Sequence, residues 1–129
     1  MALFPGFYKY GPPAAGYYGA INSGKTICGI LFGATAFLGF VFGKDAEDAP
    51  RVKDARRTDA IAAVNKLYSD FIAKFGETEC KALTGCDFSR NGEADRYIRD
   101  QIFKETCFPQ FEHVLSFCLD QIDVQTKTP

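Results

Sequence analysis

Apolar residues recur at three and four positions along much of the chain, a spacing that predicts helices. The clearest case is residues 52–75, where one apolar stripe is followed by Gly76, a residue suited to end a helix. Two further helices are predicted over residues 91–105 and 108–122. No segment alternates apolar and polar residues over the length of a strand. The chain is therefore expected to be all-α, a small bundle of three to four helices.

The spacing also predicts which side chains face the core. On the first amphipathic helix these are Ile61, Val64, Tyr68, Phe71, Ile72 and Phe75. On the next two helices they are Ala94, Ile98 and Ile102, then Phe111, Val114, Leu115, Cys118 and Ile122. A short helical turn is predicted between Thr78, as its N-terminal cap, and Gly85.

Residues 26–43 form an uncharged, glycine-rich apolar segment between Lys25 and Lys44. The segment is close to the length of a membrane-spanning helix, which is one interpretation. The other is a central helix, apolar on all sides because other helices surround it. We expect the central helix, because the amphipathic helices need an apolar surface and glycines destabilise a helix that has no close neighbours. Membrane association is the alternative.

The N-terminal residues 1–23 are rich in proline, glycine and aromatic residues and have no helical or strand period. They are predicted to be an extended arm, followed by a helical domain over residues 24–125. Six aromatic rings on such an arm predict that it docks on its own domain or on a partner. One functional hypothesis follows, a non-catalytic structural or accessory subunit that binds partners through this arm.

Charge and cysteine content narrow the function. Fifteen basic and sixteen acidic residues nearly cancel, so neither nucleic acid nor an anionic membrane surface is an expected partner. Five cysteines are many for 129 residues, and the N-terminus has no secretory signal pattern. A cytoplasmic protein is expected, in which cysteines serve metal binding or redox chemistry rather than structural disulfides.

The sequence GAINSGKT, residues 19–26, fits the phosphate-binding pattern G-x-x-x-x-G-K-[ST]. Such a loop needs a strand before it and a helix beginning under the phosphates. The preceding YGPPAAGYY is no strand, and no parallel sheet is predicted. Asp120, a candidate for the magnesium-holding aspartate, lies in a segment with helical spacing and not at the end of a strand. Nucleotide binding is therefore not expected.

The residues after this loop carry a different resemblance. Cys28, Gly29 and Gly33 form C-G-x-x-x-G inside ICGILFG, followed by FLGFVFG. Together with FIAKFGETECKALTGCDFS and CFPQFEHVLSFC, they resemble the C_GCAxxG_C_C family of redox-active proteins over about residues 19–122. A similar cysteine domain occurs in split-Soret cytochrome c, but this chain has no C-x-x-C-H and hence no covalent haem site.

The resemblance implies a cysteine-held redox site. Cys28, Cys80 and Cys107 match cysteine positions of the family, whose usual cysteine before the glycine-rich loop is missing here. Cys86 and Cys118 are both candidates for the fourth ligand. Cys86 is preferred as the ligand, because the glycine turn between Cys80 and Cys86 could let both thiols face one centre. Cys118 lies on an apolar stripe, where a cysteine is expected to be a core residue.

The cofactor implied by the resemblance is an iron–sulfur cluster, [2Fe–2S] rather than [4Fe–4S], with zinc as the alternative. Gly24, Gly29 and Gly33 are expected to let the backbone close around it. An electron carrier or a component of a larger redox assembly is expected rather than a stand-alone enzyme, with a redox partner protein or a second copy of the chain as partner. His113, the single histidine, is expected to be exposed.

Overall fold

The computed structural model describes residues 11–43 and 55–127, and these residues are almost entirely helical. The α-helices are α1 (Gly11–Ile21), α2 (Gly29–Gly43), α3 (Ala55–Phe75), α4 (Cys80–Thr84), α5 (Glu93–Arg99) and α6 (Phe108–Lys127). A π-helical turn, Phe103–Cys107, leads directly into α6. Within the described ranges the only β-type pairing is a single antiparallel bridge between Ile27 and Glu79. The predicted all-α bundle is confirmed.

Helix α2 is the centre of the bundle, as predicted from its apolar sequence. It packs on both α3 and α6, which also contact each other. Leu31 and Leu38 on α2 are fully buried, together with Leu67 and Phe71 on α3. The Thr35 and Tyr68 hydroxyls form a hydrogen bond of 3.1 Å between the two helices. Across residues 11–43 and 55–127, no helix combines the length and the apolar character needed to cross a bilayer.

The predicted core stripe of α3 is partly correct: Phe71 is fully buried, and Val64, Tyr68 and Phe75 pack against the core. The fully or largely buried residues of α3 are Ala63, Leu67 and Phe71. Ile61 and Ile72, both predicted to face the core, are each 48% exposed. Ala63 and Leu67, which the predicted stripe left out, are buried in their place.

The predicted inward faces of the last two long helical segments are also only partly correct. On α6, Val114 and Cys118 are buried as predicted, but Phe111 and Leu115 are roughly half exposed and Phe117 is buried instead. The apolar face of α6 is wider than the surface that α2 and α3 cover, so one edge of it stays open.

The predicted third helix is shorter than its pattern suggested. Helix α5 begins after Gly92, ends at Arg99, and leaves Ala94 and Ile98 exposed. The positive φ of Gln101, 55°, interrupts the helical path before the π-helical turn. The helical spacing of apolar residues continues across residues 91–105, but the helix itself is interrupted at Gln101.

Two helix ends follow the predicted turn chemistry. Gly76 and Gly85 have φ values of 85° and 70°, a left-handed conformation that glycine adopts without strain, and they end α3 and α4. The predicted cap Thr78 was wrong, since Glu79 occupies the N-cap position of α4 without a side-chain capping bond.

The prediction of an extended chain over residues 1–23 was wrong for residues 11–21, which form α1. Pro12 and Pro13 fall in the first turn of α1, where a missing N–H costs no helical hydrogen bond. The Tyr17 ring stacks on Phe32 with centroids 4.3 Å apart, which attaches α1 to α2. Residues 1–10 lie outside the described residues, and the division into residues 1–23 and 24–125 stays a prediction.

Candidate functional site

Two backbone hydrogen bonds join the segments that precede α2 and α4. The N–H of Cys28 donates to the Thr78 carbonyl at 2.7 Å, and the N–H of Cys80 donates to the Thr26 carbonyl at 3.0 Å. They flank the single antiparallel bridge. Successive side chains of an extended chain point to opposite faces, so Cys28 and Cys80 share the face opposite the bridged pair. The bridge thus brings together two cysteines that are distant in sequence.

Cys28 directly precedes α2 and acts as its N-terminal cap. Its sulfur accepts the backbone N–H groups of Leu31 and Ile30, and its carbonyl accepts the N–H of Phe32 at 3.0 Å. These N–H groups favour the thiolate. Burial acts in the opposite direction and dominates, since the residue is only 6% exposed, and it raises the pKa of the Cys28 thiol. Ionisation of this thiol therefore needs a compensating cation.

Cys107 ends the π-helical turn and receives a hydrogen bond from a side chain. The Tyr97 hydroxyl donates to the Cys107 sulfur at 3.1 Å. The Tyr97 ring is fixed edge-on by Phe88, at a centroid distance of 5.3 Å, and is also in contact with Phe103. Burial, followed by the bond to Cys107, raises the pKa of Tyr97 well above its usual range. Tyr97 consequently remains a proton donor to this sulfur. Single π-turns inside helices are frequent at functional sites.

The three cysteines line one cavity of about 440 Å³. Its walls are mostly apolar and come from α1, the start of α2, α4, α5 and the start of α6. They consist of Tyr18, Ile21, Cys28, Gly29, Ile30, Cys80, Leu83, Thr84, Phe88, Ala94, Tyr97, Ile98, Cys107 and Gln110. Tyr18 and Ile98 are each 61% exposed and form the rim. The cavity is thus a partly open chamber whose inner walls carry the sulfur atoms.

Electrostatics couple these three thiols to one another. Burial, then the proximity of Cys28 and Cys107, raises the pKa of Cys80 to about 11. Cys107 also raises the pKa of Cys28. Like charges in one apolar chamber repel, so the Cys28 and Cys80 thiols stay protonated at neutral pH unless a cation enters. The set is suited to a cationic ligand and poorly suited to nucleophilic chemistry by free thiolates.

Cys86, the preferred fourth ligand from the sequence, lies outside the cavity lining. It is fully buried after Gly85, and its N–H donates to the Thr84 hydroxyl at 3.0 Å. Cys86 has the smallest of the effects that raise the pKa of Cys80. Its role as a ligand stays a prediction, and its placement counts against it.

A polar network fixes the loop that contains Cys86. Arg96 donates to the Gly85 carbonyl at 2.7 Å and to the Glu93 carboxylate at 2.6 Å, and Glu93 accepts the N–H of Asp87. Asp87 in turn accepts hydrogen bonds from the hydroxyl and N–H of Ser89, which together with Lys81 lower its pKa to about 2. The loop is thus held by its own side chains and by those of Glu93 and Arg96 on α5.

The three predicted glycines have different surroundings. A Cβ added at Gly24, whose φ is 72°, would collide with the Asp87 carboxylate, so Gly24 permits close approach of the Cys86 loop. Gly29 lines the cavity beside Tyr17. Gly33 lines a separate groove between α2 and α6. Cofactor contact by these glycines stays a prediction, and Gly29 is the one positioned for it.

Two residues of the site had no clear signal in the sequence. Gln110 is 3% exposed, with its amide oxygen 3.9 Å from the Cys28 sulfur. Tyr97 appeared as one of many aromatic residues. The sequence indicates Gln110 only as a polar residue on the inward face of α6. His113, expected to be exposed, packs edge-on against Phe75 at a centroid distance of 5.5 Å, and its Nε2 is buried without a hydrogen-bond partner among the described residues.

None of the five cysteines is in a disulfide. In residues 11–43 and 55–127 no three His, Cys, Asp or Glu side chains converge to hold one metal ion. Tetrahedral zinc, with Zn–S bonds of about 2.3 Å, needs sulfur ligands within about 4 Å of one another. An iron–sulfur cluster distributes its ligands over several irons. A cluster therefore demands less convergence of its ligands than a single zinc ion does.

The fold and site define a small all-α protein with cysteines gathered around an apolar chamber. A family model described as "Putative redox-active protein (C_GCAxxG_C_C)" matches residues 13–120, and the chain belongs to this family. The match includes α1, so the family domain begins before the glycine-rich loop. No curated protein and no solved structure matches the chain.

Proposed function

We propose that this redox-active protein transfers electrons through an iron–sulfur cluster held by Cys28, Cys80 and Cys107. The observation that supports this proposal is the lining of one apolar cavity by three thiols from three separate segments of the chain. Thiolate ligands and partial exclusion of water are the conditions under which such clusters are stable and have defined potentials.

The electrostatics of the thiols favour this proposal over a dithiol–disulfide couple. A thiol whose pKa is about 11, as for Cys80, is almost wholly protonated at neutral pH and is a poor nucleophile in disulfide exchange. Iron supplies the positive charge that would make three neighbouring thiolates compatible with burial. The raised pKa values, unfavourable for thiol exchange, are therefore compatible with metal binding.

Each residue of the site has a defined part in this proposal. Such a cluster, when bound, accepts and returns one electron at a time. Cys28 offers a sulfur that already receives N–H groups of α2, and Tyr97 donates to the Cys107 sulfur. Hydrogen bonds to sulfur stabilise the more negative, reduced state and so raise the potential. Ile30 and Leu83 in the walls exclude water from the sulfurs.

Anaerobic purification of the full chain, followed by iron, acid-labile sulfide and zinc assays, tests this function. The expected protein is coloured, contains iron and sulfide in equal amounts, and gives an electron paramagnetic resonance signal in one oxidation state. Cys118→Ser is the matched control, because Cys118 is buried but lies outside the thiol cavity. Colourless protein without iron or sulfide would reject the proposal.

A second candidate function is that of an accessory subunit. It is favoured by a groove of about 450 Å³ between α2 and α6, bordered by the half-exposed side chains of Phe111, Leu115 and Leu119. An apolar surface of this kind is typical of a protein contact. Light scattering and pull-down of wild type and Leu115→Asp test it. Unchanged mass and partners in Leu115→Asp would count against the accessory role while leaving the cluster proposal intact.

A further inference from the structure

We propose that the groove between α2 and α6 is the contact surface of a weak homodimer, with a second copy of this chain as its occupant. The α6 ridge, formed by Phe111, Leu115 and Leu119, packs into the α2 trough of the other copy, the surface around Gly33. A twofold axis repeats the contact. This inference does not depend on the proposed cluster, and it gives a definite occupant to the groove on which the accessory role rests.

The first support is a continuous apolar stripe that the bundle leaves exposed. Phe108 and the three ridge residues follow one another at intervals of three or four positions, so they lie along one side of α6. Each of these four side chains is about half exposed. On α2, Phe40 is also about half exposed, and it lies two turns after Gly33 on the same side of the helix.

The second support is the area of this surface. A large side chain that is half exposed leaves about 100 Å² in water, so the five side chains together expose on the order of 500 Å². One partner buries about 800 Å² in a standard interface and less than about 600 Å² in a weak one. The exposed surface is therefore large enough for a weak dimer, with an affinity in about the micromolar range.

The third support is the distribution of charge. Only apolar residues line the groove, and α2 has no charged residue over Gly29–Gly43. The acidic residues Glu112 and Asp120 each follow a ridge residue in the sequence, which places them beyond the ridge, on the side away from Val114 and Cys118. A ridge packed on the α2 of a second copy therefore meets no like charge, whereas α6 packed on α6 would bring two acidic edges together.

The fourth support is the shape of the face. A twofold contact needs both complementary halves on the same surface of one copy. Here the bulky ridge lies beside the trough, and a Cβ added at Gly33 would have open space around it. The ridge of each copy can thus enter the trough of the other. Another protein would not require a self-complementary face, so this shape favours a second copy.

Light scattering of full-length, anaerobically purified protein tests the dimer. Twice the chain mass of 14.2 kDa is expected at about 100 µM, falling toward 14.2 kDa on dilution to about 1 µM. Gly33→Leu fills the trough and should weaken the dimer at least about tenfold. Gly39→Leu is the matched control, because Gly39 is also an exposed α2 glycine with open space around it but does not line the groove. Leu115→Asp, at the exposed ridge, should weaken the dimer as Gly33→Leu does.

Circular dichroism and iron content, measured on the same samples, separate loss of the dimer from loss of the fold or of the proposed cluster. Because the contact is apolar, about 1 M salt should not dissociate it. A monomeric wild type at about 100 µM would overturn the inference. Binding of an apolar fluorescent dye would then show a groove open to another protein, and absence of binding a groove covered by the same chain. Equal dimer affinity in Gly33→Leu and Gly39→Leu would place the contact elsewhere and would also overturn it.

Discussion

The thiol cavity and the groove between α2 and α6 are almost equal in volume, about 440 and 450 Å³, and both have apolar walls. They differ in their donors. Three cysteines from three segments face the cavity, while Cys118 is the one cysteine of the groove. Size and apolar character therefore do not identify a chemical site in this protein. The proposed cluster site depends instead on the three thiols that line the cavity, because metal and redox chemistry need several ligands at one place.

The cavity also differs from the groove in how the backbone builds it. The groove lies between two long packed helices, and helix packing alone explains it. The cavity depends on irregular features, namely the single bridge that pairs the Cys28 and Cys80 segments, the positive φ of Gln101 and the π-helical turn that ends at Cys107. In the described residues these irregular features lie next to the three cysteines that line the cavity.

The largest expected difference between the two regions is in metal content. Cys80→Ser should lower bound iron more than about tenfold, because it removes one of the three cavity thiolates. Cys118→Ser should leave iron unchanged. Iron and sulfide per chain, measured after anaerobic purification, check this. Equal loss of iron in the two variants would remove the distinction between cavity and groove.

The next largest effect concerns the stability that both regions share. Leu38 is fully buried on α2, so Leu38→Ala should lower the free energy of unfolding by about 2–5 kcal/mol. Leu119→Ala, at the 52% exposed edge of the groove, should cost less than about 1 kcal/mol. Urea denaturation of the metal-free protein measures both. A large cost for Leu119→Ala would mean that the groove is covered in solution.

A pH effect should arise from the cavity, where the pKa of Cys80 is strongly raised, although burial also raises the pKa of Cys118 in the groove. The folded-state pKa of Cys80 is raised to about 11, above its ordinary value of 9.0, so the folded metal-free protein binds this proton more tightly than the unfolded chain. Its contribution to stability is present below about pH 9 and is lost as pH rises toward about 11. Urea midpoints across this range should fall less steeply for Cys80→Ala. Identical slopes for the two proteins would contradict the raised pKa.

The smallest expected effect tests the hydrogen bond to Cys107. Tyr97→Phe removes a donor 3.1 Å from this sulfur, worth about 1 kcal/mol, which corresponds to a midpoint potential lower by about 40 mV for a one-electron couple. Tyr18→Phe, at the exposed rim, should leave the potential unchanged. Redox titration of the cluster-loaded protein measures the shift. A change of the same size in Tyr18→Phe would indicate a general effect of the cavity.

Much of the fold could be predicted from the sequence, because each helix carries a local signal. Such signals are the apolar run of α2, the periodic apolar residues of α3 and α6, and the glycines that end α3 and α4. The helices and helix ends that they predict are present in the structure. The prolines and glycines of residues 11–21 predict no helix, yet α1 forms there. Proline in the first turn of a helix breaks nothing.

The sequence by itself determined the all-α class, the central helix and the family, since these depend on local period and on cysteine and glycine spacing. Tertiary structure decided which cysteines meet. The bridge brings Cys28 beside Cys80 and the turn after Gln101 brings in Cys107, while Cys86, only six residues from Cys80, is excluded from the cavity. Spacing along a chain fixes proximity only within one helix. Between segments, packing and backbone hydrogen bonds determine which side chains share a site.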